Sequence, residues 1–259
     1  MISMPFAAAL AASVLSTSFI SGVFGMAGGM ILMSLLLSLM PLAPAMALHG
    51  ITQIASNGAR AWSWRRHIGW PVVWRYAVGA TAAVTAVGLG LSAPSKPVAL
   101  IFLGLATFIG LSLPARFTPN VMHPRQAMGC GMLCTALQLV CGVSGPMLDL
   151  FFVRAELGRK QIVATKAAIQ TLGHFLKLGY FGHLLLSQSG EIVAPVAAVL
   201  AIAASLIGTQ LSRSLLDALN DANFRSWSRW LIAAVATACL IQGIGLQLWS
   251  GDRLSASAG

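Results

Sequence analysis

The sequence is short of charge, and above all of negative charge. Six residues are Asp or Glu and 16 are Lys or Arg, so charged residues make up 8% of the 259. A soluble domain carries about 25% because its surface has to be wetted, and a chain this poor in charge is not an ordinary soluble enzyme or binding domain. The four cysteines, Cys130, Cys134, Cys141 and Cys239, lack paired CxxC spacing. They read as small, buried, reduced thiols rather than a disulfide framework. No P-loop is present to bind the phosphates of a nucleotide, the five histidines are scattered, and no set of residues has metal-ligand spacing. No cofactor is implied. The net charge of +10 raises the question of nucleic acid, but the basic residues are not interleaved along an exposed polar face. They sit between hydrophobic stretches, so no nucleic-acid partner is expected.

What the chain has instead is apolar length. Hydrophobic residues make up 57%, and the runs at 4–24, 72–91, 98–113, 192–211 and 231–248 are each near the ~20 residues that span a bilayer. The fold class implied is an all-α polytopic membrane protein, with the lipid bilayer as one partner. The first run lacks a basic leader and a small-residue cleavage site, so it reads as a retained span. Punctuation divides the chain into ten segments, near 4–24, 28–40, 46–62, 71–92, 97–114, 126–141, 146–156, 162–186, 191–213 and 228–249. The second of each five is short and follows a glycine-rich break.

If every segment crosses, the loops at 63–70, 115–125, 154–160 and 213–229 share one side. With their flanks they carry Arg60, Arg65, Arg66, Arg75, Arg116, Arg125, Arg154, Arg159, Lys160, Arg213, Arg225 and Arg229, against Lys96 and Arg253 on the other. Basic loops stay in the cytoplasm, which predicts a multi-pass protein of the cytoplasmic (inner) membrane with both termini outside. Short segments that re-enter instead of crossing leave this orientation unchanged. The stretch 213–229, with Asp217 and Asp221 among its basic residues, reads as a solvated connection.

Sliding the chain against itself by 117 residues aligns two glycine-centred breaks, Gly25-Met26-Ala27-Gly28-Gly29 and Gly142-Val143-Ser144-Gly145-Pro146. The same offset sets His49, Gln53, Asn57 and Arg60 on Lys166, Gln170, His174 and Lys177. This predicts one transmembrane domain of two repeats, about 4–114 and 126–249, joined by a cytoplasmic linker at 115–125. Five segments is an odd number, so the second repeat enters from the opposite side; inverted repeats of this kind build alternating-access carriers.

Steps of four, four and three keep each polar quartet within about 80° on one helix face. Polar groups facing lipid are costly, so both stripes are expected to face protein or a water-filled cavity. Interhelical glue is the plain alternative for Gln53 and Gln170, and Lys177 and Arg60 could snorkel to an interface. The surplus of donors and positive charge favours an anion. At the breaks, Gly25, Gly28, Gly29, Gly142 and Gly145 let the backbone leave one helix, so that the next starts inside the membrane with free N–H groups and its positive dipole end exposed. Two such starts can face one anion; close helix packing is the other use of these glycines. The substrate-binding set expected is therefore Gly28, Gly29, His49, Gln53, Asn57, Ser144, Gly145, Lys166, Gln170 and His174. Asp149 is the carboxylate embedded in a short apolar stretch; together with Lys177 it is assigned to coupling or charge pairing, either carrying a proton or neutralising Lys166 or Lys177.

These residues resemble a known family. The break at Gly25–Gly29, the stretch Ala47-Leu48-His49-Gly50…Gln53…Ser56-Asn57-Gly58-Ala59-Arg60-Ala61-Trp62…Arg65-Arg66-His67-Ile68, and Val163-Ala164-Thr165-Lys166-Ala167…Gln170-Thr171…His174…Lys177-Leu178…Tyr180-Phe181-Gly182 are similar to the sulfite exporter TauE/SafE family over nearly the whole chain. The resemblance implies a multi-span carrier for sulfite, thiosulfate or an organosulfonate, driven by a cation or proton gradient. Pro146 stands where the family commonly has a third glycine, and the His/Gln/Asn and Lys/Gln/His stripes replace Ser/Thr-rich helices; these departures bear on the substrate, not on the architecture. An anion channel uses the same stripes. An intramembrane serine protease with Ser144 as nucleophile and His174 or His183 as base is the enzyme alternative, opposed by Ala27 at the equivalent place in the first break. The reading taken forward is not an enzyme.

Overall fold

A computed structural model describes residues 4–24, 27–90, 95–187, 193–216 and 221–256. Among these residues there are ten α-helices and no strand: α1 (Met4–Phe24), α2 (Ala27–Leu39), α3 (Leu42–Ser63), α4 (Trp70–Gly90), α5 (Lys96–Ser112), α6 (Pro124–Cys141), α7 (Gly145–Phe152), α8 (Arg159–Ser187), α9 (Pro195–Leu216) and α10 (Asp221–Ala256). Each expected segment has its helix. Gly25 and Met26 lie outside the described residues.

Local chemistry sets several boundaries. Pro97, Pro124 and Pro146 occupy the first turns of α5, α6 and α7, where a missing N–H costs nothing. Gly142 ends α6 in the left-handed region at φ 82°, a conformation a side chain resists. One boundary differs from expectation: the stretch 213–229 is largely helical, because α9 runs on to Leu216 and α10 starts at Asp221. Hydropathy marks the part of a helix that lipid can touch, whereas the backbone ladder continues into polar turns beyond it. Asp217 lies outside the described residues.

The helices pack in four main pairs, α1 on α9, α3 on α8, α4 on α6 and α5 on α10. In the α4/α6 pair the backbones nearly touch. A Cβ on Gly79 would stand 1.8 Å from the Met128 carbonyl oxygen, and one on Gly131 2.0 Å from that of Tyr76. Small residues at such crossings are how helices associate when lipid gives no hydrophobic drive. Helices α3 and α8 cross antiparallel, with Gly50 facing Lys177 and Leu178 and Gly58 facing Thr171.

The outside of the bundle is apolar. Val78, Phe102, Ile109, Val199, Leu211 and Ile241 are exposed on α4, α5, α9 and α10, an arrangement water does not tolerate over large areas. Among the described residues two stretches, Met4–Gly22 and Pro195–Ser212, are long and apolar enough to cross a membrane by themselves; Gly28–Leu39, Lys96–Ser112 and Ala233–Trp249 are apolar but shorter. At one end the basic connections meet. Arg154 donates to the Thr118 carbonyl at 3.4 Å, Arg75 to that of Met122 at 3.4 Å, and the Gly69 N–H to Thr165 Oγ1 at 2.8 Å. Exposed Trp62 and Phe117 lie here under the guanidinium groups of Arg65 and Arg116, each 4.7 Å from the ring centre, an aromatic and cationic collar suited to a headgroup layer.

Two helices are too short to span. At 1.5 Å per residue, α2 covers about 20 Å and α7 about 12 Å, against a hydrocarbon core of about 30 Å. Helix α2 starts beside the middle of α3, where Gly29 lies flat against the Gln53 amide. It ends near the start of α3, away from the basic collar. Helix α7 runs the other way, towards the collar, where the Phe151 carbonyl accepts the Val121 N–H at 2.9 Å.

The glycine contacts give a paired prediction. Gly131→Ala is expected to lower thermal stability in detergent by about 1–3 kcal/mol through overpacking against α4. Gly129→Ala, two residues away with nothing within 4 Å of its Cβ position, should be neutral or stabilise by up to about 1 kcal/mol. Equal effects would mean that α4 and α6 are not in backbone contact.

Candidate functional site

The centre of the α3/α8 crossing is polar. On α3, His49, Gln53 and Asn57 are buried; on α8, His174 and Lys177 are buried while Lys166 and Gln170 are partly covered. Their hydrogen bonds have a definite sense. Arg60 donates to Asn57 Oδ1 at 3.4 Å, and Asn57 Nδ2 donates to Gln53 Oε1 at 3.1 Å. A guanidinium can only donate, so it fixes which way Asn57 faces, and Asn57 in turn fixes Gln53. The Gln53 amide is thus left with its NH2 for anything beyond.

Lys177 does not snorkel: it is fully buried. Its Nζ lies 2.7 Å from His49 Nδ1 and donates to the Gly142 carbonyl at 3.0 Å. The other nitrogen of His49 is 2.8 Å from the Gly29 carbonyl oxygen. A carbonyl only accepts, so Nε2 carries the hydrogen and Nδ1 receives the lysine. The His174 ring stands 5.3 Å from that of His49, centre to centre. One side-chain pair therefore ties the start of α2 to the end of α6.

Beside it lies a small pocket lined by Ser21, Gly29, Gln53, Val143, Ser144, Gly145, Gln170 and His174. It borders the N-terminal turns of both short helices, whose first N–H groups have no partner within their own helix. The pocket brings together six of the ten residues expected to bind substrate: Gly29, Gln53, Ser144, Gly145, Gln170 and His174. The other four stand elsewhere. Asn57 is behind Gln53, and His49 is behind Gly29. Gly28 is pressed on α1, where a Cβ would meet the Thr17 carbonyl at 1.9 Å. Lys166 forms an ion pair with Asp149 of α7, so the carboxylate is matched to Lys166, and Lys177 is held by His49 and Gly142. The hydroxyl of Ser144 donates to Gln138 Oε1 at 3.1 Å, an amide oxygen and not a base.

Sequence reasoning missed Ser21, Val143 and Gln138. The signal was present: Ser21 and Gln138 are 117 residues apart, the same offset that relates the glycine breaks. Ser21 sits among the other hydroxyl residues Ser13, Ser16, Thr17 and Ser18 of α1, and Gln138 shares α6 with Gln126 and Thr135, so neither stood out as the amides and imidazoles of α3 and α8 do.

Replacing Lys177 by Met should leave buried acceptors on His49 and Gly142 unsatisfied, at about 1–3 kcal/mol each. In a double-mutant cycle read by thermal unfolding in detergent, Lys177→Met with His49→Leu should cost less than the sum of the single changes. Strict additivity would show that the two side chains are not bonded.

Compared with known proteins, the chain matches the family model described as sulfite exporter TauE/SafE over residues 9–239. No curated protein and no solved structure matches. Ten helices with an apolar exterior and a polar centre fit that match over nearly the whole chain. The chain belongs to the sulfite exporter TauE/SafE family, a family of membrane transporters.

Proposed function

We propose that this protein is a secondary carrier that moves a small sulfur oxyanion (sulfite, thiosulfate or an organosulfonate) across the cytoplasmic membrane by alternating access, with the pocket at the α3/α8 crossing as its binding site. The observation that carries this reading is the convergence of two oppositely directed half-helices on one pocket. Helix starts present N–H groups and positive dipole ends to an anion without titrating. Gln53 and Gln170 add side-chain amides and His174 an imidazole, and no carboxylate lines the pocket.

The pairing of helices supports an inverted repeat. Replacing each helix by the one five places along turns α1/α9 into α6/α4 and leaves α3/α8 and α5/α10 unchanged, which is the set of main contacts. The antiparallel crossing of α3 and α8 is what two inverted copies of one helix would make. Coupling to a proton or cation gradient is assigned to the Asp149–Lys166 pair, which joins α7 to α8 beside the pocket. The clustering of Arg65, Arg75, Arg116 and Arg154 at one end supports a cytoplasmic collar.

Counterflow in proteoliposomes tests the function. Saturable exchange of thiosulfate, sulfite or a small organosulfonate is expected, against none for lactate, with loss of at least about tenfold in Gln53→Ala/Gln170→Ala, equivalent to 1.4 kcal/mol. Flux linear in concentration would make the protein a channel, and exchange that survives the double change would move the site elsewhere. Topology is tested separately. In intact cells, a cysteine replacing Lys96 should react with an impermeant thiol reagent, whereas one replacing Arg66 should react only after permeabilisation; the reverse pattern would invert the protein.

A further inference from the structure

The two ends of the α3/α8 seam differ in cover. At the end away from the collar, Met46 and His49 of α3 and Lys177 and Phe181 of α8 are all 0% exposed. The 117-residue offset sets these four on Val163, Lys166, Arg60 and Trp64, which lie towards the collar. There Val163 is 37% exposed, the Lys166 side chain 20%, and Arg60 and Trp64 are partly uncovered. The packing differs in the same sense. One hydrophobic core crosses the seam away from the collar, joining Met46 and Leu48 of α3 to Phe181 of α8, Cys141 of α6 and Met33 of α2. The core nearer the collar draws on α4, α6, α7 and α8, and among the described residues it holds none of α3. The bonds differ too. At the covered end Lys177 meets His49 across the seam at 2.7 Å, and the pair also holds the Gly142 and Gly29 carbonyls at 3.0 and 2.8 Å. At the collar end Arg60 donates to Asn57 of its own helix, and Lys166 pairs with Asp149 of α7. An amine and an imidazole can bond each other, whereas an ammonium and a guanidinium both only donate. The bond between Lys177 and His49 therefore has no counterpart between Arg60 and Lys166.

From this we infer that the Lys177–His49 bond is the latch of a gate on the side away from the collar, and that in this conformation the anion's route from the pocket leads towards the collar, past Arg60 and Lys166. The inference rests on the alternating-access carrier proposed above, in which one end of the seam is closed while the other admits substrate. Gln53, Gln170 and His174 lie between the two ends, so parting either end uncovers the pocket. The covered end is held by a core that spans the seam and by a bond that ties α2 and α3 to α6 and α8. The collar end is held less firmly and carries two cations at the mouth of the route, where positive charge draws an anion in. Lys177 and His49 thus act on transport without touching the substrate: they keep one side shut while the other is in use.

The test uses two glycines of α3 that face α8, one towards each end of the seam. A Cβ on Gly50 would stand 3.5 Å from Leu178 and 3.6 Å from Lys177, and one on Gly58 3.9 Å from Thr171. Both are ordinary contacts, so a cysteine fits at either place. In detergent, a charged, water-soluble methanethiosulfonate should modify Gly58→Cys at least about tenfold faster than Gly50→Cys, because a closed gate opens in a minor population of about 0.1–10%. The wild-type chain, whose four cysteines are buried, supplies the background rate. Adding His49→Phe, which keeps a ring and removes the acceptor, should bring Gly50→Cys to within about threefold of Gly58→Cys. Lys177→Met should do the same and serves if the Phe variant does not fold. Equal labelling of the two positions, faster labelling at Gly50→Cys, or a difference that persists in a folded latch variant overturns the inference. Labelling needs no substrate, so the two readings fail separately: absent counterflow of thiosulfate sinks the carrier, and the wrong labelling pattern sinks the latch.

Discussion

Hydrocarbon offers no hydrogen bonds, and the rest of this structure follows from that constraint. A backbone that stops being helical inside a membrane must find its partners in the protein or in what the protein binds. Here the chain breaks its helices twice in the middle of the bundle, before α2 and before α7. Both breaks are surrounded by the residues needed to satisfy them. His49 and Lys177 take up the carbonyl oxygens at Gly29 and Gly142, and the glycine at φ 82° makes the second turn sterically possible. At the starts of α2 and α7 the first N–H groups have no partner within their own helix.

The polar centre is therefore not ornament on an apolar bundle. In a soluble protein a buried lysine would be a liability to be explained away. In this one it closes a relay between two helix ends that no apolar residue could connect. The ion pair between Asp149 and Lys166 has a different standing, since Asp149 is about half exposed and its partner a fifth.

Much of this was legible in the chain itself. Helix number and order followed from apolar run length, and the glycine breaks fell where the helices stop. The stripes at His49, Gln53 and Asn57 and at Gln170, His174 and Lys177 were visible because steps of three and four put them on one face. What could not be read was which stripe residues touch the pocket and which hold others in place. Gln53 and Asn57 are equivalent in sequence terms, but one lines the cavity and the other orients it. The direction of a hydrogen bond is a three-dimensional fact, set here by Arg60 at the end of a chain of three side chains. Gln138 was hidden for a simpler reason, sharing its helix with Gln126 and Thr135 without forming a long polar stripe.

The glycines of α4 and α6 constrain how the molecule can deform. With Gly79 against Met128 and Gly131 against Tyr76, no side chain lies between the two backbones to act as a bearing, so the pair is a stiff plate. The contact of Gly208 with the Leu15 backbone makes a second plate of α9 and α1. Between these plates runs the α3/α8 seam, held by amides, imidazoles and amines whose bonds can be exchanged one for another at little cost. If the two plates move against each other, the seam that holds the pocket is where the packing allows it.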